Sequence, residues 1–262
     1  MQLAMYQVDA FTNKLFKGNS AAVIELEEWL DEHLMLAIAR ENNLSETAFF
    51  VKRDTKYHIR WFSPLSEIDF CGHATLASAF VLFLAQPELQ NIVFFAQAIG
   101  RFEVNRAPDG YIEMRFPAQM PKPITEVPSE LSKALNISPK DILRNRQAYF
   151  AIYEHADDVK ALVPDLELLK LLAPYDVVVS APDQTFDFIS RYFWPANGGD
   201  EDPVTGSIHC GLAPYWSQQL NKTDLTAYQA SQRGGTLCCQ LDNDMVIISG
   251  QAVLYMTATI TI

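Results

Sequence analysis

Arg60-Trp61-Phe62-Ser63-Pro64 and Arg191-Tyr192-Phe193-Trp194-Pro195 are one pattern, Arg-aromatic-Phe-x-Pro, written twice at an offset of 131 residues. Their surroundings repeat too. In the first half the pattern predicts a helix over 30–40 and then a strand over 47–51; in the second, a helix over 165–172 and then a strand over 177–179. Downstream, Gly72-His73-Ala74 and Gly206-Ser207-Ile208 stand in matching places. The same order on both sides predicts an internal duplication, with two lobes related by a pseudo-two-fold axis. Between them Pro117, Pro121, Pro123 and Pro128 mark an extended stretch. Proline fixes φ and removes a backbone donor, so this stretch suits a linker better than an inner strand. The expected domains are an N-terminal lobe over 1–116, a linker over 117–128 and a C-terminal lobe over 129–262, with the last strand free to return to the N-terminal lobe.

Further strands are expected over 57–62, 92–96, 111–116, 186–192 and 245–249, which are short β-branched or aromatic runs. Each glycine leads into a helix. The first, 73–84, is apolar almost all round and calls for burial on every side, as inside a curved sheet. The second, 207–215, is small and apolar, and Pro214 is expected to end or kink it.

Composition excludes several classes. With 49% hydrophobic and 20% charged residues over 262 positions, the chain is globular and large enough for two cores. A net charge of −12 repels phosphate backbones and anionic membranes. The start, Met1-Gln2-Leu3-Ala4-Met5-Tyr6, lacks a basic segment and an apolar run, and 74–85 is too short to cross a bilayer. Cys71, Cys210, Cys238 and Cys239 are not spaced as a disulfide framework. The expectation is a cytoplasmic protein with neither nucleic acid nor membrane as partner.

Four features could carry chemistry. The helix starts at Gly72 and Gly206 offer free N–H groups, the positive end of a dipole and close backbone approach, which suit a carboxylate or enolate oxygen. Plain turn chemistry is the alternative. Glu46 shares a strand face with Ala48 and Phe50. If that face is core, its carboxylate is desolvated, a condition that suits a group acting first as base and then as acid; a solvated strand start is the alternative. Asp202 is held extended by Pro203 just ahead of a helix, placed either to point into a cleft or to cap. His73 sits at a helix N-terminus, where a histidine tends to stay neutral. Cys71, His73, His209 and Cys210 match no usual zinc spacing, and no phosphate loop or dinucleotide fingerprint occurs, so no metal is expected.

These residues, with Val8-Asp9-Ala10-Phe11-Thr12, Gly18-Asn19-Ser20-Ala21-Ala22-Val23, Asn43-Leu44-Ser45-Glu46-Thr47-Ala48-Phe49, Cys71-Gly72-His73-Ala74-Thr75 and Glu201-Asp202-Pro203-Val204-Thr205-Gly206-Ser207, resemble the PhzF-like (phenazine biosynthesis-like) family of the diaminopimelate epimerase-like fold. Ser20 departs from the family's usual proline. The resemblance implies an α+β fold of two pseudo-symmetric lobes, each a curled, mainly antiparallel sheet around a central helix. The active site would lie between the lobes, in a homodimer that needs no cofactor. It implies an isomerase that moves a proton between carbons of a small carboxylate-bearing substrate. Glu46 would be the proton shuttle, with His73 and Asp202 tuning it and holding polar groups. Gly72, Gly206, Ser207, Ser45 and Asn19 would bind substrate. A two-thiol racemase or epimerase on the same fold is one alternative, although 202–207 lacks a cysteine to match Cys71. A non-catalytic binding protein is the other.

Overall fold

The computed structural model describes residues 1–262, a mixed α/β protein of eighteen strands and six helices. They group into two compact units, one of residues 1–115 with 249–262, the other of residues 116–248.

The first unit runs β1 (Gln2–Ala10), β2 (Asn19–Leu26), α1 (Glu32–Asn42), β3 (Glu46–Arg53), β4 (Lys56–Phe62), β5 (Glu67–Ile68), α2 (Gly72–Ala85), β6 (Asn91–Ala96), β7 (Gly100–Arg106) and β8 (Ile112–Pro117). Helix α1 starts where Asp31 accepts a hydrogen bond from the His33 N–H, and stops at Asn43, whose φ of 48° breaks the repeat. Strand β2 then runs parallel to β3, and β3 antiparallel to β4. Helix α2 is buried along nearly its whole length and packs against β1, β2, β3 and β7. It contains no charge, and its two hydroxyl residues fold back on the helix: Thr75 donates to the Cys71 carbonyl at 2.6 Å and Ser78 to that of Ala74 at 2.8 Å. Burial of Leu76, Leu82 and Phe83 contributes roughly 1.5–3 kcal/mol each.

The second unit follows with β9 (Lys122–Pro123), α3 (Ser129–Ala134), β10 (Asp141–Arg144), β11 (Ala148–Ile152), α4 (Ala156–Ala161), α5 (Leu166–Lys170), β12 (Asp176–Pro182), β13 (Phe188–Trp194), β14 (Gly199–Asp202), α6 (His209–Leu220), β15 (Asp224–Gln229), β16 (Gly235–Asp242) and β17 (Met245–Gly250). The proline-rich stretch falls in this unit, where β9 pairs with β10. Tyr149, Ala151, Val177, Val179 and Phe193 from the sheet meet Leu131, Val159 and Leu169 from α3, α4 and α5 in one core. The last strand, β18 (Ala252–Thr261), belongs to the first unit, pairing antiparallel with β1 from Gln2↔Thr261 to Ala10↔Ala252.

Expectations for the second helix change in two ways. Residues 206–208 form a turn, and α6 begins only at His209, so Gly206 and Ser207 precede the helix rather than open it. Pro214 neither ends nor interrupts α6, which continues to Leu220. The carbonyl that proline leaves unpaired, that of Cys210, accepts the Gln119 N–H at 2.8 Å instead. The alternation read for β3 also fails to separate core from solvent, because every residue from Glu46 to Val51 is buried.

The repeated pentapeptides occupy equivalent positions. Arg60 of β4 pairs with Glu67 of β5, and Arg191 of β13 with Glu201 of β14. Across each hairpin the pentapeptide's Phe faces that glutamate, as Phe62↔Glu67 and Phe193↔Glu201. On the other side Phe62 faces Thr47 and Phe193 faces Val177. Position 46 therefore corresponds to 176: Glu46 in the first unit, Asp176 in the second.

Candidate active site

In the first unit three elements bring the predicted residues together. Strand β2 carries Asn19, the start of β3 carries Glu46 with Ser45 before it, and the first turn of α2 carries His73. Cys71 precedes α2 in an extended conformation and makes no side-chain capping hydrogen bond. Glu46 is 6% exposed, His73 4% and Asn19 0%. A carboxylate and an imidazole so deeply withdrawn from water need partners. His73 Nε2 lies 3.0 Å from Glu46 Oε2, an ion-pair distance, but its N–H is not aligned on that oxygen, which has no other donor. Contacts of this kind tighten when a substrate is bound.

The far side of the imidazole is occupied too. Asn19 Nδ2 approaches His73 Nδ1 at 3.1 Å, and Ser45 Oγ donates to Asn19 Oδ1 at 3.1 Å. A hydroxyl on the amide oxygen turns the amide N–H toward Nδ1, and in the neutral ring that leaves the proton on Nε2, facing Glu46. Asn19 and Ser45 thus act on His73, whatever else they touch. Burial works against a charge on His73, the Cys71 sulfur and the Glu46 carboxylate work for it, and the net displacement is upward from the ordinary histidine value. The Cys71 thiol is itself pushed up to about 11, by burial and then by the Glu46 charge. At neutral pH it is therefore an uncharged thiol, which leaves the Glu46 carboxylate as the charge that raises His73. The upward displacement runs against the expectation that a histidine at a helix start tends to stay neutral. Glu46, Cys71 and His73 also present one donor atom each within 4.8 Å of one another, a grouping that could hold a cation; zinc would first require the thiolate that burial disfavours.

In the second unit the predicted residues fall in one segment, 202–207, between β14 and α6. Asp202 Oδ2 accepts the Thr205 hydroxyl. The fully buried Gln229 pins the turn, accepting the Thr205 N–H at 2.9 Å and donating to the Asp202 carbonyl at 2.7 Å. Ser207 Oγ accepts a hydrogen bond from Gln147 Nε2 at 2.9 Å. The same nitrogen reaches Tyr192 Oη at 3.0 Å, and that hydroxyl donates to Asp176 Oδ2. Asn197 Nδ2 donates to Asp176 Oδ1 at 2.7 Å. Burial raises the Asp176 carboxyl above its ordinary value against these two donors, and burial with the Asp176 charge raises the Tyr192 phenol. His209 and Cys210 lie in the first turn of α6. His209 Nδ1 pairs with the Thr205 carbonyl at 2.8 Å, and burial lowers its pKa to about 4. The Cys210 thiol is buried and pushed up to about 12.

Asp176, Gln147 and Gln229 carry no motif in the sequence, and Tyr192 is legible there only as part of the repeated pentapeptide. For Asp176 a signal existed. Aligning the repeats with a one-residue gap sets Tyr175-Asp176-Val177 against Ser45-Glu46-Thr47, an acid at the same strand start.

The chain is similar to known proteins over nearly its whole length. The family model described as phenazine biosynthesis-like protein matches residues 8–258. A protein of Pseudomonas aeruginosa described as an uncharacterized isomerase is 46% identical over 260 residues, covering 99% of each chain. One of Halalkalibacterium halodurans with the same description is 43% identical, covering 97% of this chain and 96% of its own. The crystal structure of a phenazine biosynthesis protein PhzF family member from Enterococcus faecalis superimposes with a TM-score of 0.95 at 42% identity, over 100% of both chains. A hydroxyproline epimerase from Agrobacterium vitis, at 10% identity and a TM-score of 0.60 over 99% of this chain and 91% of its own, shares the fold. The chain belongs to the phenazine biosynthesis-like (PhzC-PhzF) protein family.

Proposed function

We propose that this enzyme, an isomerase by its relatives, moves a proton between two carbons of a small carboxylate-bearing substrate, with Glu46 as the single proton carrier and no resident cofactor. The observation that carries this reading is the buried Glu46 carboxylate, 3.0 Å from His73 at the open start of α2. Glu46 takes a proton from one carbon. The C–H electron pair moves into the adjacent π system, the double bond shifts, and Glu46 returns the proton to the carbon at its far end. Atoms and electrons balance without an oxidant or reductant. His73 holds the carboxylate, and the N–H groups of Gly72 and His73 stabilise charge as it develops on the substrate. Asp202, Gly206 and Ser207 bind the substrate's polar groups on the strength of their motif. The family supplies the rest of the reading: two pseudo-symmetric lobes, each a curled sheet around a helix, in a cytoplasmic homodimer.

The two-thiol reading is disfavoured, since Cys71 and Cys210 are both held as thiols and 202–207 has no cysteine. The test is turnover of a dihydro-hydroxyanthranilate, the family's model substrate, in D2O, with deuterium at carbon read by mass spectrometry. Glu46→Gln is expected to lower the rate on the order of 10²–10⁴-fold, while Cys71→Ser keeps it. The opposite pattern would refute the one-carboxylate mechanism.

A further inference from the structure

The chain of hydrogen bonds behind Ser207 has a direction, and the duplication shows where that direction originates. Asp176 occupies the register position of Glu46, one residue before the partner of the pentapeptide's Phe. An ionised carboxylate only accepts, so both Asn197 Nδ2 and the Tyr192 hydroxyl must point at it. With its proton committed to Asp176, Tyr192 Oη can only accept from Gln147, so the amide nitrogen of Gln147, and not its oxygen, must face Tyr192. That nitrogen has a second hydrogen, and it lies 2.9 Å from Ser207 Oγ. Ser207 Oγ is thereby an acceptor toward Gln147, and its own proton is left to donate. The half-buried Ser207 sits in the turn ahead of α6, beside the N–H groups of a segment pinned by Gln229.

We propose that Asp176, acting through Tyr192 and Gln147, is a positioning residue that fixes the Ser207 hydroxyl as a hydrogen-bond donor to an anionic oxygen of the ligand, a carboxylate. The duplicated carboxylate thus serves a different task in each unit, carrying a proton in the first and setting the polarity of a binding group in the second. This rests on the isomerase reading only for the identity of the anion as substrate; the polarity of the chain follows from Asp176 alone. Amidation of Asp176 reverses it. An amide at 176 donates to Tyr192, Tyr192 then donates to Gln147, Gln147 turns its oxygen inward, and the Ser207 proton is drawn to that oxygen and away from the ligand.

The experiment measures equilibrium binding of benzoate to the full chain by calorimetry at neutral pH, for wild type, Asp176→Asn, Ser207→Ala and the double variant. A charge-assisted hydrogen bond is worth about 1.5–3 kcal/mol, so each single variant is expected to weaken benzoate binding roughly ten- to a hundredfold. In the Ser207→Ala background Asp176→Asn should add nothing, because the group it acts through is gone. Additive losses would show that Asp176 does not act through Ser207 and would overturn the proposal. So would unchanged binding in Asp176→Asn, or no binding of benzoate to wild type at tens of millimolar. Tyr192→Phe, which cuts the chain without altering the carboxylate, is expected to match Asp176→Asn, and a normal affinity there would also overturn it. Binding requires no turnover, so these outcomes stand apart from loss or retention of isomerase activity in Glu46→Gln.

Discussion

At the scale of single residues, the two buried histidines show how one side chain is set to opposite ends of its range. His73 has an acid beside Nε2, and its pKa is displaced upward despite burial. His209 has only the Thr205 carbonyl on Nδ1, its Nε2 has no partner, and its pKa falls to about 4. The consequence for stability has a definite sign. Between the free-histidine value of 6.5 and about 4, unfolded chains bind a proton at His209 that folded chains refuse. Stability from this group is complete above pH 6.5 and is lost as pH falls toward 4, by on the order of 3 kcal/mol. Melting temperature followed from pH 7 to 4 should therefore fall less steeply in His209→Asn than in wild type. Parallel curves would show that His209 takes up its proton in the folded state. His73 is expected to oppose this trend, since a histidine whose folded value is raised adds stability below the unfolded value.

At the scale of elements, α6 is held by exceptions to helix rules. Pro214 lies inside it, tolerated because Gln119 supplies the N–H that Cys210 would otherwise lack. At Gly211 the helix meets the ring edge of Phe150 from β11 and the Asn145 amide. A Cβ there would stand 2.6 Å from Phe150 Cζ and 2.9 Å from Asn145 Nδ2. Neither neighbour is free to yield: Phe150 is fully buried, and Asn145 holds the Gln119 carbonyl and the N–H groups of Gln147 and Ala148. Gly211→Ala is expected to cost about 1–3 kcal/mol in denaturant unfolding. Phe150→Leu in the same chain should restore part of that loss, and strictly additive losses would rule out the contact as its cause. Such exceptions mark the boundary of what was legible in the sequence. Periodicity located α1, α2 and the strands around the pentapeptides, because those segments follow local rules. It set the second helix start too early and stopped that helix at residue 215, because its continuation past Pro214 depends on Gln119, 95 residues upstream of Pro214. Glu46 and His73 were legible as an acid at a strand start and a histidine at a helix start. Asn19 as the amide on His73, and the Asp176–Tyr192–Gln147 chain, were not, since they join residues from three or more segments that no single spacing connects.

At the scale of the molecule, the two units share several local features. Both units retain the Arg–Glu pair across a short hairpin, the parallel pair of strands beside it, and a carboxylate at the same register. They differ in how the chain closes them. The second unit is continuous, and its β11, β12 and β13 form within 47 residues, from Ala148 to Trp194. The first is complete only when β18 pairs with β1, joining Gln2 to Thr261. Loop-closure entropy grows with the chain enclosed, and contacts of such separation come late unless intervening structure has already shortened the loop. The folded second unit, interposed between residues 115 and 249, is that intervening structure. Pulse-labelling hydrogen exchange during refolding of the full chain should therefore find the amides of Val177, Val178 and Val179 protected before those of Leu3 to Ala10 and Val253 to Thr261. Simultaneous protection, or protection of β1 and β18 first, would mean that the terminal strands meet without help from the unit between them.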